Sequence, residues 1–387
     1  MQTLDPSGDP GQAYMLGWCV DRLPHLRVVA TVIRRLELEP WSVHLLVGGI
    51  GSGKTTELWG IQQHLKTAVH EVGAICEYVD VGSRQRLDHV RPGVLVALAG
   101  KRLAELEAAR RGARPATKEV KDANYILHAL ADGYVAESWE SQEYEETVVP
   151  GVVEPPVVAT GPLTELVPSL AVLKRAVAPG ADGHCVFLFD SLDRMPPDEF
   201  ENAIAHDVRA LRSAGIGAVI VGPMRFRYGA AHAIADLFEQ NVHSLADVEL
   251  NPMGLTFLTQ VLRRRAPIEL LDDGGAHAVA LGSGGVMRDL IAIAKSAAQE
   301  AYVDGSDAIH ATHVARAIEQ LGRVRAVGLD GEQVAALRKV RETGTMVIRG
   351  ERELVLLETR RVLDFGNGRF AVHPALAPLL DVMTAAA

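Results

Sequence analysis

Four short apolar runs set the frame of this chain. Val43 to Val47, Ala74 to Val81, Cys185 to Phe189 and Ala218 to Val221 are rich in β-formers and short, so they read as buried strands. Around them, apolar residues recur at helical spacing in Leu26 to Leu38, in ELWGIQQHLK after residue 56, in Arg91 to Arg111 and in Pro197 to Ser213. Strands alternating with helices predict an α/β fold, a parallel sheet joined by right-handed crossovers with helices on both faces. A fifth strand is expected at Val248 to Leu250.

Beyond Asn251 the pattern becomes helical, with runs at Leu255 to Arg265, Ala276 to Leu281, Met287 to Tyr302 and Thr312 to Leu321 that suggest a lid. The last segment has two more helical runs. Two β-forming runs follow, Val362 to Phe365 and Arg369 to His373, flanking Gly366-Asn367-Gly368, and this order suggests a winged helix. The expected division is an arm and helix over 1–40, a core over 41–250, a helical lid over 251–325 and a winged helix over 326–387. Within the core, about 112–183 reads as a loop excursion, because proline and glycine interrupt it and Glu137, Glu140, Glu143, Glu145 and Glu146 cluster there.

Composition narrows the class. The chain of 387 residues is 48% hydrophobic, long enough for two or three domains. Its three cysteines are odd in number and lack metal-like spacing, which argues against a disulfide framework or a zinc site. No basic-then-apolar leader and no membrane-length apolar run is evident, so a cytoplasmic protein is expected. A net charge of −10 disfavours a broad nucleic-acid surface. The excess of arginine over lysine is typical of GC-rich bacterial genomes.

The most specific chemistry lies between the first strand and the helix after it. GGIGSGKT, Gly48 to Thr55, matches G-x-x-x-x-G-K-[ST] in full. Glycines at 48, 49, 51 and 53 let the backbone curl so that N–H groups converge on a phosphate at the positive end of the helix. The loop, with Ser52 and Thr56 included, is the expected seat of ATP or ADP. Lys54 would reach the β- and γ-phosphate oxygens, and the Thr55 hydroxyl would ligate Mg²⁺.

Hydrolysis needs an acidic element as well. Asp190 ends the apolar run of HCVFLFDSLDRM and is the candidate for holding Mg²⁺, while Asp193 is placed to polarise the attacking water. Arg225 and Arg227 follow the fourth strand and would sense phosphate, face a neighbouring subunit or be solvated. Arg288 opens a lid helix, from which it would fold over bound nucleotide. His373 in AVHPAL is either structural or a contact to the β-phosphate.

With those residues placed, the chain resembles the AAA+/STAND branch of P-loop NTPases. GGIGSGKTTEL stands for Walker A, VFLFDSLDRM for Walker B, GSGGVMRDL for the lid segment with the sensor-2 arginine, DAIHATHVARAI for the last lid helix and VHP for the histidine motif of winged-helix domains. AAA+ motors usually place a glutamate after the Walker B aspartate. Here Ser191 takes that position and the next acid is Asp193, a spacing similar to the NACHT-like pattern of slow switches. The strand VIVGPMRF offers no evident polar sensor-1 residue.

The resemblance implies a Mg²⁺-dependent ATPase acting as a conformational switch. It would work through a separate effector or sensor protein, perform slow hydrolysis, form nucleotide-dependent homo-oligomers and serve in bacterial signalling or antiviral defence. An alternative is an ATP-regulated DNA-binding loader using the winged helix, where residues 322–387 hold ten Arg/Lys against eight Asp/Glu. In that reading Arg360 and Arg361 are the expected phosphate contacts. A third is a scaffold that retains nucleotide without turnover.

Overall fold

The computed structural model describes residues 2–5, 10–20, 28–68, 75–84, 87, 90–127, 163–179, 184–228 and 231–383. The glutamate cluster and the proline-rich stretch after it lie outside these residues. The chain divides into two compact units. One comprises Val28–Val47 and Glu57–His243, the other Met1–Arg27, Gly48–Thr56 and Ser244–Ala387.

The first unit is built on a five-stranded sheet, whose strands are β1 (Val43–Gly48), β2 (Ile75–Asp80), β3 (Cys185–Asp190), β4 (Gly217–Gly222) and β5 (Val242–Leu245). Their order is β2-β3-β4-β1-β5, and the pairs β2–β3, β3–β4 and β4–β1 are parallel. Every residue of β1, β3 and β4 is buried. That is why they carry continuous apolar runs where a half-exposed strand would alternate. Cys185, Phe187 and Phe189 of β3 share one cluster with Val43, Leu45 and Val47 of β1 and with the helices Val94–Arg111 and Pro197–Ser213. The alternate residues Leu46, Leu188 and Val219 are equally buried on the other face. There the helices Val28–Leu38 and Lys54–Ala68 bury Val32, Leu36, Leu58 and Ile61.

Two expectations are revised in this unit. The stretch read as a loop excursion contains helix at 118–127 and at Leu163–Val177. Leu127, Leu166, Leu170 and Leu173 from it join the same core. Pro168 sits inside the second helix, while the proline-rich stretch that prompted the loop reading lies outside the described residues. The fifth strand is β5, upstream of Val248–Leu250. Val248 instead donates its N–H to the Gly285 carbonyl at 3.2 Å and belongs to the core of the second unit.

A buried carboxylate organises one end of the helix Val94–Arg111. Asp207 accepts the N–H groups of Gly93 (2.6 Å) and Leu95 (2.8 Å), and it is wholly buried. Burial pushes its carboxyl above the ordinary range, while those amide bonds and His206 pull the other way.

The second unit has its own apolar core. Pro252–Arg263, Asp273–Gly282, Met287–Val303 and Ala311–Ala326 are the lid helices, close to the expected bounds. Asn251 and Asp272 cap the first two by accepting N–H bonds from Gly254 and Gly275. Leu4 also packs into this core, and Lys295 pairs with Asp5 at 3.2 Å. The C-terminal segment follows as helices Gly331–Thr343 and Glu351–Glu358, strands β6 (Val362–Asp364) and β7 (Phe370–Val372) in an antiparallel hairpin, and the helix Ala377–Val382. This is the helix, helix, hairpin order of a winged helix. Gly322 of the last lid helix lies so close to the Ala375 carbonyl that an added Cβ would overlap it. Among the described residues, no helix is long and apolar enough to cross a membrane.

Candidate nucleotide site

Gly48 ends β1, and the loop runs on to Lys54, where the next helix starts. Gly51 (φ 81°) and Gly53 (φ 95°) adopt left-handed backbone that side-chain-bearing residues rarely take, so the glycine spacing is a backbone requirement. A Cβ on Gly48 would come within 2.9 Å of both the Leu245 carbonyl oxygen and Ser52 Oγ. Lys54 is buried, and its Nζ donates to the carbonyls of Gly48 (2.8 Å) and Gly49 (3.1 Å). The ammonium is thus held over the loop. Thr55 and Thr56, both half-buried, lie in the first turn of the helix.

Two arginines meet the loop. Arg288, exposed at the start of Met287–Val303, donates its backbone N–H to the Gly51 carbonyl at 3.3 Å, and a Cβ on Gly51 would come within 2.6 Å of Arg288 Cβ. This puts the expected lid arginine beside the phosphate loop. The second is Arg360, buried and in left-handed backbone at φ 58°. Its Nε donates to the Ile50 carbonyl at 2.9 Å. Its Nη1 donates to both oxygens of Asp247, at 2.8 and 2.6 Å, and Asp247 is itself buried. Nη2 is buried without a hydrogen-bond partner. An unmet buried donor costs about 1–3 kcal/mol.

Under the DNA-loader alternative Arg360 and Arg361 were the expected duplex contacts, and the structure corrects this part of it. Both are buried, and Arg361 donates to the carbonyls of Arg325 and Val327. Neutralising them would test the fold before it tested DNA.

The acidic residues sit at the carboxyl ends of adjacent strands. Asp80 of β2 and Asp190 of β3 are register partners. Asp190 accepts the Tyr78 hydroxyl at 2.9 Å and the Ser191 N–H at 2.7 Å. Asp80 accepts the Ser191 hydroxyl at 2.6 Å. Ser191, where the resemblance leads one to look for a glutamate, has φ 72°, an uncommon conformation for a residue bearing a side chain. The turn therefore spends its serine on tying two carboxylates together. Tyr78 is held in turn by Trp59, whose ring centroid lies 4.9 Å away. Asp193 is half-buried in the short 3-10 turn Leu192–Arg194. Arg225 and Arg227, also half-buried, are in the turn Met224–Arg227 after β4, and the Arg227 guanidinium lies 5.5 Å from the ring centroid of its neighbour Tyr228.

His373 is fully buried. Its Nε2 is 3.1 Å from Asp289 Oδ2, and its Nδ1 accepts the Ala375 N–H at 3.2 Å. Both ring nitrogens are therefore committed inside the second unit, and contact with a β-phosphate would require breaking one of these bonds. Burial lowers the histidine's pKa, with the bond to Asp289 opposing it. For Asp289, burial works upward but the His373 bond and the Arg325 guanidinium prevail, so its carboxyl lies below the ordinary range.

Asp80, Tyr78, Asp247 and Arg360 escaped the sequence reading as site residues. Asp80 carried a readable signal, an apolar strand ending in aspartate as β3 does. Arg360 carried none, since its partners Ile50 and Asp247 are remote in the chain.

No family model matches the chain, and no curated protein matches it. Solved structures similar to it include Cdc6p from Pyrobaculum aerophilum, at 15% identity and TM-score 0.44, covering 99% of this chain and 96% of that one. The ORC2 protein of Aeropyrum pernix matches at 15% identity and TM-score 0.44, covering 100% and 98%. The ORC1 protein of Aeropyrum pernix, solved in complex with DNA, matches at 16% identity and TM-score 0.42, covering 95% of each chain. Likeness at this level carries no functional conclusion for this chain.

Proposed function

We propose that this protein is an AAA+-type P-loop ATPase that binds Mg·ATP and uses its state to reposition the C-terminal unit. The observation that carries the reading is the loop itself, with left-handed glycines at 51 and 53 and a buried lysine held above its carbonyls. Such a loop presents amides and an ammonium to an anion. The donor set suits the nucleotide, and the Thr55 hydroxyl and the Asp190 carboxylate are each oxygen donors of the kind Mg²⁺ prefers. When bound, the metal would neutralise charge on the phosphates. Tyr78 and Ser191 keep Asp190 oriented, Asp193 orients the attacking water, and Arg288 reports occupancy to the lid.

Hydrolysis is expected to be slow, because serine follows Asp190 in place of the glutamate of fast motors. Magnesium-dependent ATP binding and phosphate release by the full chain test the reading, with Lys54→Ala beside them. The variant should lose about a hundredfold or more in ATP affinity, since it removes the loop's cation. Unchanged binding would overturn the proposal.

What the ATPase acts on is a separate question. A partner protein and duplex DNA are both open to test, and nothing in the fold supports a defence role in particular. For DNA, the exposed Lys339 and Arg349 are better probes than the buried Arg360 and Arg361. Salt-dependent anisotropy of labelled duplex that weakens in Lys339→Glu/Arg349→Glu would favour the loader reading. No binding at low salt would remove it.

A further inference from the structure

We propose that Arg360 is a phosphate-binding residue of the loop, and that nucleotide bound there holds the β6–β7 hairpin in place. The proposal rests on the nucleotide-binding reading above and goes beyond it, since Arg360 lies outside the Walker motifs and outside the lid. Three of its features converge.

The first is the geometry of the fork. In a guanidinium, Nε–H and one N–H of Nη2 share an edge and point the same way. In Arg360 the Nε–H of that edge donates to the Ile50 carbonyl, so the edge faces the phosphate loop. The opposite nitrogen, Nη1, is consumed by Asp247. The loop-facing edge is therefore only half used, and the idle donor Nη2 is buried beside Gly49. Buried donors almost always find an acceptor, and a phosphate oxygen in the loop is an acceptor that the loop is built to hold.

The second is Gly49. The Walker pattern leaves that position unspecified. Its φ is not among the left-handed ones, so no backbone constraint calls for glycine. Space does, because a Cβ at residue 49 would overlap the Arg360 guanidinium. The glycine and the arginine are fitted to one another.

The third is connection. Arg360 immediately precedes Arg361 and β6, and Asp247 accepts the Asp364 N–H at 3.2 Å while donating its own N–H to the Asp364 carbonyl at 2.9 Å. One side chain thus joins the loop, the Asp247 segment and the hairpin. A ligand that fastens the guanidinium to the loop fastens the hairpin as well, and by linkage a displaced hairpin weakens the ligand.

The test is calorimetric titration of the full chain with ATP, ADP and adenosine, in wild type, Arg360→Gln, Arg360→Lys and Gly49→Ala. Arg360→Gln should lose about tenfold or more in affinity for ATP and ADP and nothing for adenosine, a phosphate-specific loss that a purely structural role would not produce. Arg360→Lys should recover little, because an ammonium cannot place two parallel donors on one edge. Gly49→Ala keeps the Arg360 and Asp247 charges and guards against a misfolded Arg360 variant. It should reproduce the loss by pushing the guanidinium off the loop. Hydrogen exchange over 362–372 should slow on adding ATP to wild type and not to Gly49→Ala. Wild-type-like ATP affinity in Gly49→Ala and in folded Arg360→Gln overturns the proposal and leaves the ATPase reading intact. A wild-type chain that binds no ATP overturns the ATPase reading and this proposal with it.

Discussion

The ends of β2 and β3 and the surroundings of the phosphate loop treat buried charge in opposite ways. At the strand ends, Asp80 and Asp190 are held by hydroxyl and amide donors from Tyr78 and Ser191. A hydroxyl or amide donor fixes the direction of a carboxylate without adding a charge of its own. In the loop's unit, Arg360 faces Asp247, and Asp289 is clasped between Arg325 and His373. There the charges largely cancel, and what they secure is geometry. The first arrangement suits chemistry, and the second suits a device whose parts must meet in one way.

If that contrast is right, breaking a cancelled pair should cost stability and breaking a neutral-held acid should cost turnover. The largest effect is expected from Asp289→Asn. It leaves Arg325 without its countercharge and should lower unfolding stability by about 3–5 kcal/mol, read from urea denaturation. Asp190→Asn should instead reduce the rate of ATP hydrolysis by about 10²–10³ while thermal stability changes little. A large loss of stability there, with turnover preserved, would reverse the comparison.

The sheet supplies a third comparison through a neutral buried pair. His44 Nδ1 and His243 Nε2 are 3.0 Å apart, and Ser42 Oγ lies 2.9 Å from His44 Nε2. Burial first, then the partner histidine and Arg35, lowers His44 to about 3, and burial with Arg35 lowers His243 to about 4. The unfolded chain therefore takes up protons below about pH 6.5 that the folded chain refuses. The pair's contribution is complete above that pH and is lost as pH falls toward 4. His44 alone should account for about 2 kcal/mol between pH 6.5 and 5. Denaturation at pH 7.5 and 5.0 should show this slope, and His44→Gln should flatten it. The smallest effect is assigned to Asp193→Asn, about tenfold in turnover, because the proposed mechanism gives this residue the orienting of water and leaves the metal to others. An effect equal to that of Asp190→Asn would merge the two roles.

How far the chain could be read in advance follows the range of the interactions. The phosphate loop, β1 to β4 and the hairpin around Asn367 were legible because their causes are local: glycine backbone, buried apolar runs and a turn. The helix Leu163–Val177 was not, because tertiary packing of Leu166, Leu170 and Leu173 overrides its proline. The place of Asp190 at the end of a buried strand could be read from its apolar run. Arg360 could not, because only folding brings it to Ile50, and its charge in the sequence suggested a surface it does not occupy.

Gly322 has a bearing on how force would travel through this half of the molecule. Where a helix gives up a side chain so that a neighbouring carbonyl can sit against its backbone, the two pieces have little freedom to slide. The four-helix segment and the C-terminal domain are then one lever, and any swing driven by ATP must pivot outside the seam between them.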